Sequence, residues 1–70
     1  MFTTREREIL DHLAQGRTSR AIARLLYLSH HTVETHIRNM RAKSGASSRT
    51  QLLAIALGLD TAGPVGRGRG

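Results

Sequence analysis

The chain has 70 residues, no cysteine, and a net charge of +6 from 11 Lys and Arg against 5 Asp and Glu. That length makes one domain near the lower limit for a chain folding on its own core, without help from disulfides or a thiolate metal site. No apolar run approaches the roughly 20 residues of a membrane span and no apolar leader opens the chain, so a soluble, cytoplasmic protein is expected. Phe2 and Tyr27 are the only aromatics, strand patterning is missing, and Gly and Pro gather at the C-terminus, which predicts an all-α fold with an aliphatic core.

The first predicted helix covers 4–14. Thr3-Thr4-Arg5-Glu6 reads as a capping box, Ile9, Leu10 and Leu13 supply a core-facing cluster, and Gly16 stops the helix. A second helix, 19–26, starts from Thr18 as N-cap. Ala21, Ile22, Leu25 and Leu26 form its packed face, with Arg20 and Arg24 outside. Tyr27 and Leu28 then lead directly to Ser29, a good N-cap for a third helix over 30–43 that Gly45 closes. Helices joined by about three residues must cross steeply, which is helix-turn-helix geometry. Ala23 fits at the crossing, Leu28 plugs the turn, and Val33 packs back. Tyr27 stands at a turn position where many such proteins place Gly, so a strained backbone is expected there.

In the third helix Val33, Ile37 and Met40 share one apolar stripe, and His31, Thr35, Arg38 and Ala42 share the opposite side. A fourth helix, 49–57, opens with a second capping box, Ser48-Arg49-Thr50-Gln51, and Gly58 is a plausible C-cap. Leu52, Ile55, Ala56 and Leu59 make its main stripe, while Leu53 and Leu57 lie to one side and call for another partner or for helix 1. The domain is expected to span 1–59. The remainder, 60–70, rich in Gly and Arg, lacks periodicity and is expected to be a disordered tail.

The positive charge is unevenly placed. Residues 17–49 hold Arg17, Arg20, Arg24, Arg38, Arg41, Lys43 and Arg49 against Glu34 alone, whereas in 1–16 the acids outnumber the bases. Such a patch is what a polyanion partner requires, against the plainer reading of a solvated basic surface. Double-stranded DNA is the partner this predicts, with the third helix in its major groove. Arg38 can bond guanine O6 and N7, and Thr35 can pack its methyl on thymine. Glu34 can accept from cytosine N4 or pair with Arg38 one turn on, and His31 completes the base-reading edge. Helix N-termini and flanking bases give the phosphate contacts: Thr18, Ser19, Arg20, Ser29, Thr32, Arg41 and Lys43. The four histidines offer no i, i+4 pair and no cysteine to assist, so no metal is expected, and neither a catalytic constellation, a cofactor nor a small-molecule ligand.

Thr3-x-Arg5-Glu6-Arg7-Glu8-Ile9-Leu10, Gly16, Ile22-Ala23, Leu26-x-Leu28-Ser29, Thr32-Val33-x-x-His36, Asn39, Lys43-x-Gly45 and Ser48-Arg49 stand at fixed spacing over roughly 2–57. In these the chain resembles the LuxR-type (NarL/FixJ-like) helix-turn-helix domain of bacterial transcription regulators. The resemblance implies sequence-specific DNA binding in the nucleoid as a homodimer on two half-sites, through helix 49–57 with Leu53 and Leu57 at the interface. It makes RNA polymerase a further partner, and it supports Ser19, Arg20 and Lys43 as backbone contacts and Glu34, Thr35 and Arg38 as base-facing positions. Four departures stand out. Glu34 replaces a frequent Lys, Ser44 replaces a usual Leu, and Arg41 and Ala46 replace apolar residues, so a looser end to helix 3 is expected. A sigma-factor promoter-reading domain has a similar opening but usually a longer connection before helix 2. A helix-turn-helix turned to protein contacts is the other alternative, with Glu34 its sign.

Overall fold

The computed structural model describes residues 2–58; the predicted tail, 60–70, and Leu59 lie outside them. Four helices follow in order, α1 (Thr4–Ala14), α2 (Ser19–Leu26), α3 (His30–Ser44) and α4 (Arg49–Ala56), within a residue of the expected ends. Each opens on a hydroxyl side chain that accepts from a first-turn amide: Thr3 from Glu6, Thr18 from Ala21, Ser29 from Thr32 and Ser48 from Gln51. The capping box at α1 is complete. At α4 it is not: the Gln51 side chain reaches one residue further, where Oε1 accepts from the Ser47 amide at 2.6 Å.

The helix α3 packs against all three others, and α1 packs against α2 and α4. Ile9, Ile22, Val33, Met40 and Leu52 have no exposed surface, and Leu10, Leu13, Ala23, Ile37 and Ala46 complete the core. Every helix therefore places at least one side chain in a single cluster, with α3 as its centre. Burial of one stripe of α3 orients the other stripe outward.

Three expectations about the faces are corrected. On α2 the buried side is centred on Ile22 and Ala23, with Ser19 also buried, while Leu25 is 51% exposed. At about 100° per residue Ser19, Ile22, Ala23 and Leu26 fall within one narrow arc that leaves Leu25 on its edge. On α4, Ala56 is exposed, and Leu53 packs against the core beside Leu52 and Ile55. At the end of α3 the small Ala46 is a core residue rather than a gap in the packing. Gly45 takes a left-handed conformation, the Ala46 amide donates to Arg41 O at 3.1 Å, and Ala46 fills a core position.

The turn between α2 and α3 confirms the expected strain. Tyr27 sits at φ 57°, ψ 41°, the left-handed region, and its side chain is 96% exposed. A non-glycine residue there costs on the order of 1 kcal/mol. Since the ring makes no packing contribution to lose, Tyr27→Gly should stabilise the domain by about 0.5–1 kcal/mol after allowing for the freer unfolded chain. Thermal unfolding checks this as a rise of a few degrees, on the scale of about 4–8 °C per kcal/mol for a domain this small.

Candidate nucleic-acid interface

The outward face of α3 is built by the inward one. Val33, Ile37 and Met40 are buried, so His31, Thr35, Arg38 and Ala42 are presented on the opposite side, where His31, Arg38 and Ala42 are exposed and Thr35 half-buried. Arg38 makes no ion pair or hydrogen bond among the described residues, and with Arg41, Ala42, Gly45 and Ala46 it lines a shallow open depression at the C-terminal end of the helix. Thr35 Oγ1 donates to His31 O at 3.0 Å. That commits its one hydroxyl proton to the helix backbone and leaves a lone pair and the methyl group for any outside contact.

Glu34 does not take the partner expected of it. Its Oε2 lies 3.6 Å from His30 Nε2, one turn toward the N-terminus, and not against Arg38. His30, passed over in the sequence reading, thus belongs to this surface. The i, i+4 spacing of His30 and Glu34 was visible in the sequence; that Glu34 would choose it over Arg38 was not.

The predicted phosphate contacts divide into free and engaged groups. Thr18 and Arg20 are exposed at the start of α2, and Ser29 is exposed at the start of α3. The first turn of a helix leaves amides without an intrahelical partner, and one of them in each of these helices is held by the cap. Ser29 Oγ also donates to Thr32 Oγ1 at 2.8 Å, fixing both hydroxyls at the helix entrance. Ser19 is the exception: its side chain is buried, and its Oγ accepts from Arg49 Nη1 at 3.2 Å. Only its backbone amide remains at the helix N-terminus for an anion. Arg49, which the sequence places only in the basic segment and in the Ser48-Arg49 motif, links the N-terminal turns of α2 and α4 by this bond.

Arg41 and Lys43 are both held within the fold. Arg41 Nη2 donates to Ser47 O at 2.8 Å, while its Nε is buried with no protein partner among the described residues. Lys43 Nζ lies 2.6 Å from Glu6 Oε1, which also accepts from the Thr3 amide at 2.9 Å. The Glu6 side chain is almost fully buried, whereas that of Lys43 is 38% exposed. One carboxylate therefore closes the α1 capping box and anchors the end of α3. Nζ retains two further N–H groups on a side that water reaches.

Burial pushes the Glu6 carboxyl up, but the Lys43 hydrogen bond, the Thr3 backbone amide, the Lys43 charge and the Thr3 hydroxyl together outweigh it, so the net shift is downward. The folded chain thus keeps Glu6 ionised to lower pH than the unfolded chain does. Its contribution to stability is whole above the ordinary glutamate value of about 4.3 and is lost as pH falls below that and through the folded value. Urea unfolding between about pH 2 and pH 6 checks this, with Glu6→Gln flattening the acid limb.

Among the described residues, no group of three or more His, Cys, Asp or Glu side chains could hold a metal ion, and no helix is long and apolar enough to cross a membrane. The comparison with known proteins points to a regulator. Residues 1–56 match the model of the family described as bacterial regulatory proteins, luxR family. The chain is 34% identical over 94% of its length to the uncharacterized transcriptional regulatory protein YhcZ of Bacillus subtilis, covering 31% of that protein. It is 44% identical over 79% of its length to the regulatory protein SdiA of Escherichia coli, covering 23% of it. To the probable transcriptional regulatory protein NarL of Mycobacterium tuberculosis it is 39% identical over 81% of its length, covering 26% of that protein. The chain thus spans about a quarter to a third of the length of these relatives. With four helices in helix-turn-helix order and most of its length matched, the chain belongs to the luxR family of bacterial regulatory proteins.

Proposed function

We propose that this chain is the DNA-binding domain of a transcription regulator, with α3 in the major groove of duplex DNA. The observation that carries the reading is the outward face of α3. His31, Thr35 and Arg38 stand opposite a fully buried stripe, in the segment that holds the chain's excess positive charge. Arg38 supplies the strongest base contact, Thr35 and His31 the neighbouring ones, and Glu34 an acceptor on the flank. Affinity comes from the backbone amide of Ser19 and the helix-start groups of Thr18, Ser29 and Thr32, together with Arg20, Arg41 and Lys43, against phosphates. Lys43 can serve both Glu6 and a phosphate, because its remaining N–H groups are accessible.

Two copies bind two half-sites through α4, and contacts with RNA polymerase belong to the same proposal. Leu57 is 56% exposed and stands free for a partner helix, while Leu53 packs partly inside its own domain and offers the edge of the interface. Leu57→Asp should abolish cooperative filling of paired half-sites and leave the monomer folded, as read by titration of one-site and two-site duplexes. A variant that fills both sites as cooperatively as the parent would remove α4 from the interface.

Retention of duplex DNA as a function of salt tests the function itself. The logarithm of the binding constant should fall linearly with the logarithm of salt concentration, at about −0.9 per phosphate neutralised. Selection from random duplexes should return a two-fold symmetric site. Binding that salt does not alter, or no binding at all, would leave a protein-contact role in its place.

A further inference from the structure

We infer that His30 is a positioning residue for sequence recognition: it holds the Glu34 carboxylate toward the N-terminal end of α3 and so leaves Arg38 free to bond a base. The inference rests on α3 being the reading helix. Glu34 has a potential cation one turn away on each side, His30 four residues before it and Arg38 four residues after it. Both are within side-chain reach at that spacing. The fold resolves the competition in favour of His30, whose Nε2 lies 3.6 Å from Glu34 Oε2, while Arg38 makes no ion pair.

The consequence lies in how a guanidinium is used. Bidentate recognition of guanine needs two N–H groups of Arg38 directed outward at O6 and N7. A carboxylate one turn back competes for those same groups. Without His30, Arg38 is the one cation left at that spacing from Glu34, and part of its donor capacity turns inward along the helix. His30 thus acts on the base through Glu34 and Arg38 without having to touch it. The imidazole–carboxylate pair is 46% and 42% exposed, so its strength is that of a surface pair and the effect is modest.

Duplexes selected by the parent from a random library give the test. Arg38→Ala first identifies the base pair that Arg38 reads. Preference at that base pair is then measured as an affinity ratio for the parent, His30→Ala, Glu34→Ala and the double variant, with helicity checked by circular dichroism. The expected result is a fall of about two- to fivefold for His30→Ala at that base pair alone, and no further change when His30 is replaced in the Glu34→Ala background. An unchanged ratio would overturn the inference. So would an equal fall in the Glu34→Ala background, which would mean that His30 meets the DNA itself, or an Arg38→Ala variant that loses affinity with no change of preference at any base pair. A parent that retains no duplex would overturn the assignment of α3 as the reading helix, and this is seen before any His30 variant is made.

Discussion

Met40→Ala should destabilise the domain by about 2–5 kcal/mol, the range for emptying a fully buried long aliphatic position. Met40 has no exposed surface and sits in the one cluster that all four helices share. Its loss leaves a cavity beneath the outward face of α3, since α3 is the helix against which the other three pack. A chain of this size starts near the low end of the usual 5–15 kcal/mol, so the variant should be substantially unfolded at growth temperature. Urea titration should show a lower midpoint with an unchanged slope. Ala42→Ser, on the exposed side of the same helix, should stay within about 0.5 kcal/mol of the parent. If the two variants were alike, the assignment of buried and outward faces on α3 would be wrong.

The fold was legible because its signals are local. Each helix start carries a Ser or Thr whose hydroxyl can reach an amide three residues on, and all four were found as written. The short connection from Leu26 to Ser29 dictated a steep crossing. What periodicity misplaced was the edge of the buried arc on α2 and on α4. Leu25 and Ala23 are both apolar and two residues apart, and only the position of α3 decides that the smaller one enters the core. The same limit applies to Ala46, which reads as a poor substitute for a larger residue yet is buried, because the left-handed Gly45 turns the chain back onto the cluster.

The candidate site was legible as a face and less so as a set of partners. Opposition to Val33, Ile37 and Met40 placed His31, Thr35 and Arg38 outward, and helical geometry alone suffices for that. Partners separated in sequence were not accessible. Glu6 and Lys43 are 37 residues apart and Ser19 and Arg49 are 30 apart. In both pairs, one member that sequence logic assigned to phosphate is engaged with the protein itself. For Glu34 two partners at equal spacing were available, and spacing cannot rank them. In the structure Glu34 lies beside His30, and Arg38 lines the depression with Ala42 and Ala46.

Arg38→Ala should weaken binding to the selected duplex by about 1–3 kcal/mol and relax base preference at a single base pair. The reasoning starts from what Arg38 lacks. No carboxylate or carbonyl among the described residues holds its guanidinium, so all five donors are available outside the fold. It stands on the exposed side of a helix whose neighbours on the same face, Thr35 and Ala42, are small enough to let the backbone approach a groove. A phosphate-only role predicts something different: equal weakening for every sequence and a salt slope reduced by about one. A base-reading role predicts loss confined to duplexes carrying the preferred pair, with non-specific affinity lowered much less. Lys43→Met supplies the contrast, because Lys43 meets Glu6 and is proposed only as a phosphate contact. That variant should lower affinity across sequences alike and weaken the fold by about 1 kcal/mol, a figure already reduced for the exposure of the lysine. Competition titrations with matched, single-substituted and random duplexes, run for both variants at two salt concentrations, separate the roles. Uniform loss for Arg38→Ala would move it from the bases to the backbone and leave Thr35 and His31 as the readers.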